Sequence, residues 1–331
     1  MKEIKVISLF DGMSCGALAL DEARVPVAAY ASAEIDKWAM KVSRHTYAHI
    51  NQVGNVCDLD PKDFRDYDLL IGGSPCQSIS PAGKMKGMTT NTGIIINSLL
   101  TYVFLKNIGY TYDEKSPLYF HSSCLFWEYV RIYRGIKRHN PDVKFLLENV
   151  VNKEWGQLIT KELGVEPIRI NSSEVSAQNR DRYYWTNIKY TPIRKRHYGL
   201  TLESIIPDAV AGAGSRGVPQ KNWVKTPDNP FLHKQKTTVR KDGLANCLTA
   251  SGGSICRKYL STDGDIKIIN IEQAEQLQTV PAGYTDVPGV SLHQRFKMLG
   301  NGWTVDVIAH FFTCLVHELS WKEHMLPNEQ V

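Results

Sequence analysis

The sequence contains no paired-cysteine motif. Its seven cysteines, at positions 15, 57, 76, 124, 247, 256 and 314 of 331, are odd in number and scattered, and no two of them form a Cys-x-x-Cys pair. A disulfide framework and a zinc knuckle both need regular cysteine spacing, so this arrangement argues against either and indicates a reducing compartment. A zinc-binding or redox protein is therefore the least favoured class.

Long apolar runs and a strong excess of one charge are also missing. No stretch approaches the length of a membrane-spanning helix, and the first ten residues have the pattern of a strand with no signal-peptide core. The net charge is only +5, which permits a polyanionic partner without requiring one. With 43% hydrophobic and 22% charged residues and no internal repeat, we expect a soluble, cytoplasmic globular protein with no membrane partner.

Strand-like and helix-like segments do alternate, from residue 4 to about 147. That alternation is typical of a mainly parallel sheet covered by helices, the α/β class. The predicted strands are 4–10, 27–33, 68–71 and 143–147, and the predicted helices are 17–23, 37–46 and 124–138. An apolar patch and a tyrosine-bearing loop at about 89–117 do not fit a tight crossover, so we interpret them as an insertion that holds a helix and a loop.

The amino-acid composition changes after about residue 190. Gly, Pro, Lys and Arg accumulate up to about residue 244 and helical periodicity disappears, which predicts a small, irregular, basic lobe. A predicted strand at 266–271 and an apolar helix at 305–319 then return to the first domain. The expected division is a main domain over 1–189, the lobe over 190–244, and a returning segment over 245–331.

Cys76 stands just past the predicted strand 68–71, behind the turn Gly72-Gly-Ser-Pro75. In open α/β sheets, ligands and reacting groups gather at the carboxyl ends of strands. A thiol held there on a stiff turn is a candidate nucleophile, because thiolate is strongly nucleophilic and needs only modest activation. A buried cysteine that acts as a small hydrophobe is the alternative from this motif alone.

Two other strand ends suggest a cofactor. The first strand runs into Phe10-Asp-Gly-Met-Ser-Cys-Gly16, where glycines let a ligand approach the backbone at a helix N-terminus, although an ordinary tight turn explains them equally well. The second ends at Glu34, where such folds hydrogen-bond a ribose diol, and Asp58 follows in the next turn. Together these ends indicate a cofactor that contains adenosine, although each acid alone is more often a solvated surface group.

Polar side chains also follow the strand at 143–147. Glu148 comes directly after apolar residues, which places a carboxyl beside Cys76 where it can donate a hydrogen bond or a proton. Further along, alternation in an extended segment puts Gln178, Arg180 and Arg182 on one face. Two arginines on one face usually lie at a surface, but here they can also order a carboxylate or bind phosphate.

In order and spacing, these residues resemble the motif set of the cytosine-C5 DNA methyltransferases. The set comprises Gly72-Gly-Ser-Pro-Cys-Gln77, Glu148-Asn-Val150, Gln178-x-Arg-x-Arg182 and Gly300-Asn-Gly302, and it spans nearly the whole chain. Within that family the sequence looks most like the Dnmt3-type (de novo) branch, in a stand-alone prokaryotic or viral form. The marks of that branch are Ser8-Leu-Phe-Asp-Gly12, Glu174-Val-Ser-Ala177, Tyr284-Thr-Asp-Val287 and Val307-Ile-Ala-His-Phe-Phe312.

The resemblance implies a Rossmann-like class I methyltransferase with a mixed, mostly parallel sheet and a small target-recognition lobe. It implies transfer of a methyl group from S-adenosylmethionine to C5 of cytosine in double-stranded DNA, leaving S-adenosylhomocysteine. Cys76 would add to C6 of a cytosine flipped out of the duplex. Glu148 would bond the ring N3 and the amine, Arg182 would contact the base O2 and orient Glu148, and Arg180 and Gln178 would support them.

The same resemblance implies the binding residues. The cofactor would be held at its methionine part by Phe10, Asp11, Gly12, Met13 and Gly16, at its adenosine part by Glu34, Ile35, Asp58 and Leu59, and from the C-terminal segment by Asn301, Gly302 and Trp303. DNA would be contacted by Lys84 and Lys86 in a loop over 77–90 that closes on it, and by Arg216, Lys221, Arg240 and Lys241 of the lobe.

The sequence departs from the family pattern at the 89–117 insertion, which could touch DNA or a partner. Two alternatives stay open: an RNA (tRNA) cytosine-C5 methyltransferase on the same scaffold, and a non-catalytic regulator of a partner methyltransferase. The tRNA-modifying relatives carry a Cys-Phe-Thr signature that this sequence lacks, and regulators tend to lose motifs that are present here. A restriction partner and a homodimer are both compatible with the sequence.

Overall fold

The computed structural model describes residues 3–76, 87–193, 201–209, 243–250 and 257–325, without the side chains of residues 266 and 321–325. In this part of the chain, a seven-stranded sheet has the order β3-β2-β1-β4-β5-β7-β6. Its strands are β1 (Ile4–Leu9), β2 (Val27–Ala33), β3 (Asn51–Gln52), β4 (Leu69–Gly72), β5 (Lys144–Asn149), β6 (Ile168–Asn171) and β7 (Asp181–Thr186). β7 runs antiparallel to β5 and β6, and the other pairs are parallel, so the sheet is mixed and mostly parallel, as predicted.

Helices cover both faces of this sheet. They are α1 (Cys15–Glu22), α2 (Lys37–Thr46), α3 (Leu99–Asn107), α4 (Phe126–Lys137), α5 (Lys153–Leu163), α6 (Leu202–Ile205), α7 (Ile271–Leu277), α8 (Leu292–Asn301) and α9 (Val305–Met325). Successive side chains of a strand point to opposite faces, so Ile71 packs in the core cluster of α1 and α9 and Leu70 in that of α4 and α5. Burial on both faces explains why β4 is apolar throughout and why β1 is mostly apolar.

Strand order reverses between β1 and β4, which is the switch point where open α/β sheets bind ligands. Leu9 pairs with Gly72 at the carboxyl ends of these two strands. The loop after β1 and the loop that carries Cys76 therefore lie side by side.

The predicted boundaries differ most in the C-terminal part. The strand expected at 266–271 is β9 (Ile266–Ile268), which pairs only with β8 (Lys258–Leu260) in a separate two-stranded sheet. It ends early because Asn270 caps α7, accepting from the backbone N–H of Gln273 in a reciprocal capping box. The helix predicted over 305–319 continues to Met325, and no described helix is long and apolar enough to cross a membrane.

The insertion does contain a helix, α3, whose N-terminus is capped by Ser98. One side of α3 is buried through Tyr102 and Leu105. The opposite side exposes Leu100, Phe104 and Ile108, at 80%, 59% and 53%, so an apolar stripe at helical spacing faces outward. The division of the chain into domains stays a prediction, because most of the lobe at 190–244 lies outside the described residues.

Candidate active site

A cavity of about 420 Å³ opens where the carboxyl ends of β1, β2, β4 and β5 meet. It brings together most of the predicted site residues, although they are spread over nearly 300 positions of the sequence. Its lining includes Phe10–Met13, Glu34–Asp36, Asn55, Val56, Gly73–Cys76, Glu148–Val150, Arg180, Arg182 and Asn301–Trp303.

The loop after β1 is held in an unusual conformation. Phe10, Gly12 and Ser14 all have positive φ, at 59°, 60° and 63°. Each non-glycine residue of this kind costs roughly 1–3 kcal/mol, so the surroundings must impose it. Asp11 supplies that constraint, since its buried carboxylate accepts hydrogen bonds from Ser14 Oγ (2.5 Å), Tyr30 Oη (2.6 Å) and Ser32 Oγ (2.8 Å).

Burial raises the pKa of the Asp11 carboxyl, and the hydroxyl donors around it partly oppose that rise. The loop backbone is thereby fixed from beneath. Asp11 acts mainly from the buried side of this loop, and Phe10, Gly12 and Met13 line the same part of the cavity.

Glu34 is fixed by backbone donors. Its Oε2 accepts from Gly12 N (2.8 Å), and its Oε1 accepts from Ile35 N (2.7 Å) and Asp36 N (2.8 Å). A carboxylate has about four acceptor sites, so capacity for a ligand hydroxyl remains. Ile35 lines the cavity beside it and is 74% exposed, an apolar surface with no protein side chain covering most of it.

Asp36 caps α2 and pairs with Lys297 Nζ at 2.8 Å. Burial acts to raise the pKa of Asp36, but Lys297 and the backbone N–H groups outweigh it and lower that pKa. Neither Asp36 nor Lys297 was predicted from sequence. Both line the cavity, and the pair joins α2 to α8 at its rim.

Three predicted cofactor residues are not among the lining residues. Asp58 is the last residue of a short 3-10 turn, Val56–Asp58, and Leu59 follows it. The residues of this segment that line the cavity are instead Val56 and the preceding Asn55. Gly16 lies beneath the surface, where a Cβ would come within 2.5 Å of Ile71 Cδ1. Its role is close packing of α1 on the sheet.

The Cys76 loop is tied to β5. Asn149 Nδ2 donates to Ser74 O (3.2 Å) and Ser74 Oγ (3.0 Å), and Pro75 then restricts the backbone that leads to Cys76. Gly73 leaves room for this arrangement, since a Cβ there would lie 3.1 Å from Glu148 Oε2. Cys76 is half-buried and lines the cavity.

Each carboxylate oxygen of Glu148 is bound by a side chain from another part of the chain. Arg182 Nε lies 2.9 Å from Oε1, and Trp303 Nε1 donates to Oε2 at 3.2 Å. The Glu148 residue is only 9% exposed. Burial acts to lower the pKa of Arg182, but Glu148 outweighs it and the pKa is raised, so the guanidinium stays charged. The predicted contact between Glu148 and Arg182 is therefore present.

Gln178 and Arg180 have other contacts than those predicted. β7 begins only at Asp181, and the wholly buried Gln178 donates to Leu277 O (3.0 Å) and does not line the cavity. Arg180 donates to Leu248 O (3.0 Å) and Gly302 O (2.7 Å), which ties the C-terminal segment to the cavity wall. Both side chains are bound to main-chain carbonyls, because each is buried with donors that must be satisfied.

The six predicted DNA contacts lie outside the described residues. They are Lys84, Lys86, Arg216, Lys221, Arg240 and Lys241. Within the described ranges, no group of three or more His, Cys, Asp or Glu residues is arranged to hold a metal ion.

The sequence of residues 4–121 matches the family described as C-5 cytosine-specific DNA methylase. These residues make up just over a third of the chain. The chain is 30% identical over 206 residues to the orphan methyltransferase M.SPRI of Bacillus phage SPR, and 36% identical over 192 residues to M.Rho11sI of Bacillus phage rho11s. These alignments cover 61% and 57% of the chain but only 42% and 34% of the relatives, so the chain spans less than half the length of either phage protein.

The fold is similar to that of the Entamoeba histolytica methyltransferase EhMeth. The two structures superpose with a TM-score of 0.64 over 96% of this chain and 99% of the other, at 14% sequence identity. This likeness shows the class I methyltransferase fold, as predicted from the sequence.

Proposed function

We propose that the protein transfers a methyl group from S-adenosylmethionine to C5 of cytosine in double-stranded DNA. The observation that carries the proposal is one cavity lined by Cys76 and by the Glu148–Arg182 pair at one end, and by Glu34 and Ile35 at the other. We call these the cytosine end and the cofactor end. One cavity thus holds a nucleophile, an acid and a pocket suited to adenosine. This combination suits the transfer of a group from a cofactor to a second substrate.

The residues at the cofactor end fit S-adenosylmethionine. Glu34 is anchored by three backbone donors and retains acceptor capacity for a ribose diol, and the exposed Ile35 offers an apolar face to adenine. The loop at 10–13 supplies backbone for the methionine part. When bound, the cofactor supplies an electrophilic methyl group and leaves as S-adenosylhomocysteine.

At the cytosine end, this chain's own residues prepare the base. C5 of cytosine is a poor nucleophile, and addition of the Cys76 thiolate to C6 forms a C–S bond and turns C5 into an enamine carbon. The Glu148 carboxyl group donates a hydrogen bond or a proton to N3 and accepts a hydrogen bond from the exocyclic amine, which stabilises the negative charge that develops at N3. After C5 is methylated, loss of the C5 proton returns an electron pair to the ring, and the Cys76–C6 bond breaks.

The reacting base must leave the duplex to reach Cys76, at a cost of a few kcal/mol. Lys84 and Lys86, with Arg216, Lys221, Arg240 and Lys241, remain our proposed DNA contacts. Most of them would meet phosphate and fewer would read bases. A drop in DNA affinity after Lys84→Ala and Lys86→Ala, with S-adenosylhomocysteine binding unchanged, would support this assignment.

Three finer proposals accompany this one. The Dnmt3-type motifs place the chain nearest the de novo branch, and the phage relatives suit a cytoplasmic enzyme of a bacterium or an infected host, with or without a restriction partner. A homodimer would have the exposed stripe of Leu100, Phe104 and Ile108 as one available surface. Light scattering of wild type and Phe104→Glu tests it, since a dimer through this stripe requires the wild type alone to double its mass.

One assay tests the activity. The protein is incubated with methyl-labelled S-adenosylmethionine and either duplex DNA or tRNA, beside Cys76→Ser. We expect label in DNA with the wild type and none above background with the variant. Label in tRNA only would favour an RNA methyltransferase, label in neither would favour a non-catalytic regulator, and label in DNA that survives Cys76→Ser would exclude the thiol mechanism.

A further inference from the structure

The insertion contacts the core through one buried carboxylate. Glu128, on α4, is wholly buried and accepts hydrogen bonds from Tyr102 Oη (2.5 Å), Lys106 Nζ (2.6 Å) and Arg131 Nε (2.5 Å). Tyr102 and Lys106 both belong to α3, the inserted helix. A buried carboxyl group needs such partners, and α3 supplies two of the three.

The two cations on Glu128 also hold the turn at the cofactor end. Arg131 Nη1 donates to Leu59 O (2.8 Å) and Nη2 donates to Val56 O (3.2 Å). Lys106 Nζ reaches Cys57 O at 3.5 Å. Three of the four carbonyls over 56–59 are thereby bound by cations that Glu128 neutralises.

This turn forms part of the cavity wall. Val56 and Asn55 line the cavity on the side of Glu34 and Ile35. Within the turn itself the Asn55 side chain accepts from Cys57 N (3.1 Å), and the backbone adds only Asp58 N to Asn55 O (3.0 Å) and Leu59 N to Val56 O (3.4 Å) among the hydrogen bonds described for this three-residue 3-10 segment. Such short segments have little stability of their own, so the cation contacts from outside decide how well the wall is ordered before a ligand arrives.

We propose that the inserted helix α3 positions the 55–59 wall for adenosine, with Tyr102 and Lys106 acting through Glu128 and Arg131. None of these four side chains is among the lining residues, so they are positioning residues. The inference rests on the proposed function, since it assigns that wall to S-adenosylmethionine. Its energetic basis is preorganisation: a wall ordered in advance spares the ligand the cost of ordering it.

The wall is adjacent to the cofactor and contributes nothing to the grip on Glu148 or to the tie between Asn149 and the Cys76 loop. Loosening it should weaken cofactor binding while kcat at saturating cofactor and the affinity for DNA stay within about twofold. A general loss of stability would not produce this division.

Calorimetric titration with S-adenosylhomocysteine tests the proposal directly. Tyr102→Phe removes one donor without changing shape, and Lys106→Met removes the cation while keeping most of the stem. We expect Kd to rise about threefold for Tyr102→Phe and about tenfold for Lys106→Met, with Lys106→Arg close to wild type. Amide exchange without ligand should become faster over residues 57–59 in Lys106→Met.

The matched control is Lys144→Met. It breaks a comparable ion pair with Glu318 (2.5 Å) that joins β5 to α9 and does not line the cavity. Its Kd for S-adenosylhomocysteine should stay at the wild-type value.

Unchanged Kd in Lys106→Met and Tyr102→Phe, in a wild type that binds, would overturn this inference and leave the proposed function intact. An equal rise in Lys144→Met would overturn it as well. A wild type that does not bind S-adenosylhomocysteine would instead overturn the proposed function.

Discussion

At the cofactor end of the cavity the decisive carboxylate is held by main-chain N–H groups from its own strand end and from the neighbouring loop, whereas at the cytosine end it is held by side chains from β7 and the C-terminal segment. Glu34 bonds the N–H groups of residues 12, 35 and 36. Glu148 is held by Arg182 and by Trp303, which lies 155 positions away. The first arrangement requires only that β1 and β2 pair, while the second exists only once β5, β7 and the C-terminal segment have assembled.

This difference separates the two functions of the site. A carboxylate bound by neighbouring backbone suits the recognition of a constant cofactor. A carboxyl group held between a guanidinium and an indole is fixed in one orientation toward a base, in a position that is nearly shielded from water. Substitutions at the two ends should therefore change different kinetic constants.

The largest effect is expected for Glu148→Gln. The amide keeps the shape and can still hydrogen-bond N3 and the amine, but it cannot transfer a proton to N3, so kcat should fall by roughly 10²- to 10⁴-fold. The Kd for S-adenosylhomocysteine should stay within about twofold. Single-turnover methyl transfer to duplex DNA measures the first and calorimetry the second, and a large rise in Kd would show that the two ends are not separable.

Glu34→Gln should have the opposite effect, weakening cofactor binding while leaving kcat nearly unchanged. The new NH₂ group would face backbone donors that now point at an acceptor, and the ribose contact would weaken, so Kd for S-adenosylhomocysteine should rise about tenfold, near 1.4 kcal/mol. At saturating cofactor, kcat should remain within about twofold. A fall in kcat at saturation comparable with that of Glu148→Gln would contradict the division.

Trp303→Phe tests the long-range hydrogen bond to Glu148. Loss of the indole N–H leaves Oε2 without its donor, and we expect kcat to fall by about three- to tenfold. Trp185→Phe is the matched control, because the Trp185 N–H bonds Thr160 Oγ1 at 3.0 Å and does not line the cavity. Equal losses in both variants would indicate a general packing effect.

The contrast between the two ends also explains which site residues could be predicted from the sequence. Cys76, Glu34 and Glu148 follow apolar strands, and that local pattern places them at one sheet edge with no further information. Alternation put Gln178 and Arg180 on one face with Arg182, and the resemblance gave them a supporting role, but their side chains are bound by main-chain carbonyls 68 to 122 positions away. Asp58 was predicted to face the cofactor, and the 3-10 turn presents Val56 instead. No local pattern encodes either outcome.

The smallest expected effect concerns the Asp36–Lys297 pair at the rim. The pKa of Asp36 is lowered in the folded protein. The ion pair therefore stabilises the folded protein fully above about pH 4, and this contribution is lost as the pH falls through the pKa that Asp36 has in the folded state. Because the pair is partly exposed, the gain should be at most about 1 kcal/mol. Tm of wild type and Lys297→Met should differ at pH 7, and the difference should shrink as the pH falls below about 4; a constant difference would contradict this.

The central claim is that Cys76 bonds to C6 of the cytosine held by Glu148. Duplex DNA with 5-fluorocytosine at the target site tests it most directly, because fluorine cannot leave C5 as the proton does, and the adduct is trapped. With S-adenosylmethionine present, we expect a stable protein–DNA species whose mass includes the added methyl group, with the bond mapped to Cys76. No trapped species on DNA that is otherwise methylated, or a bond at another residue, would contradict the account.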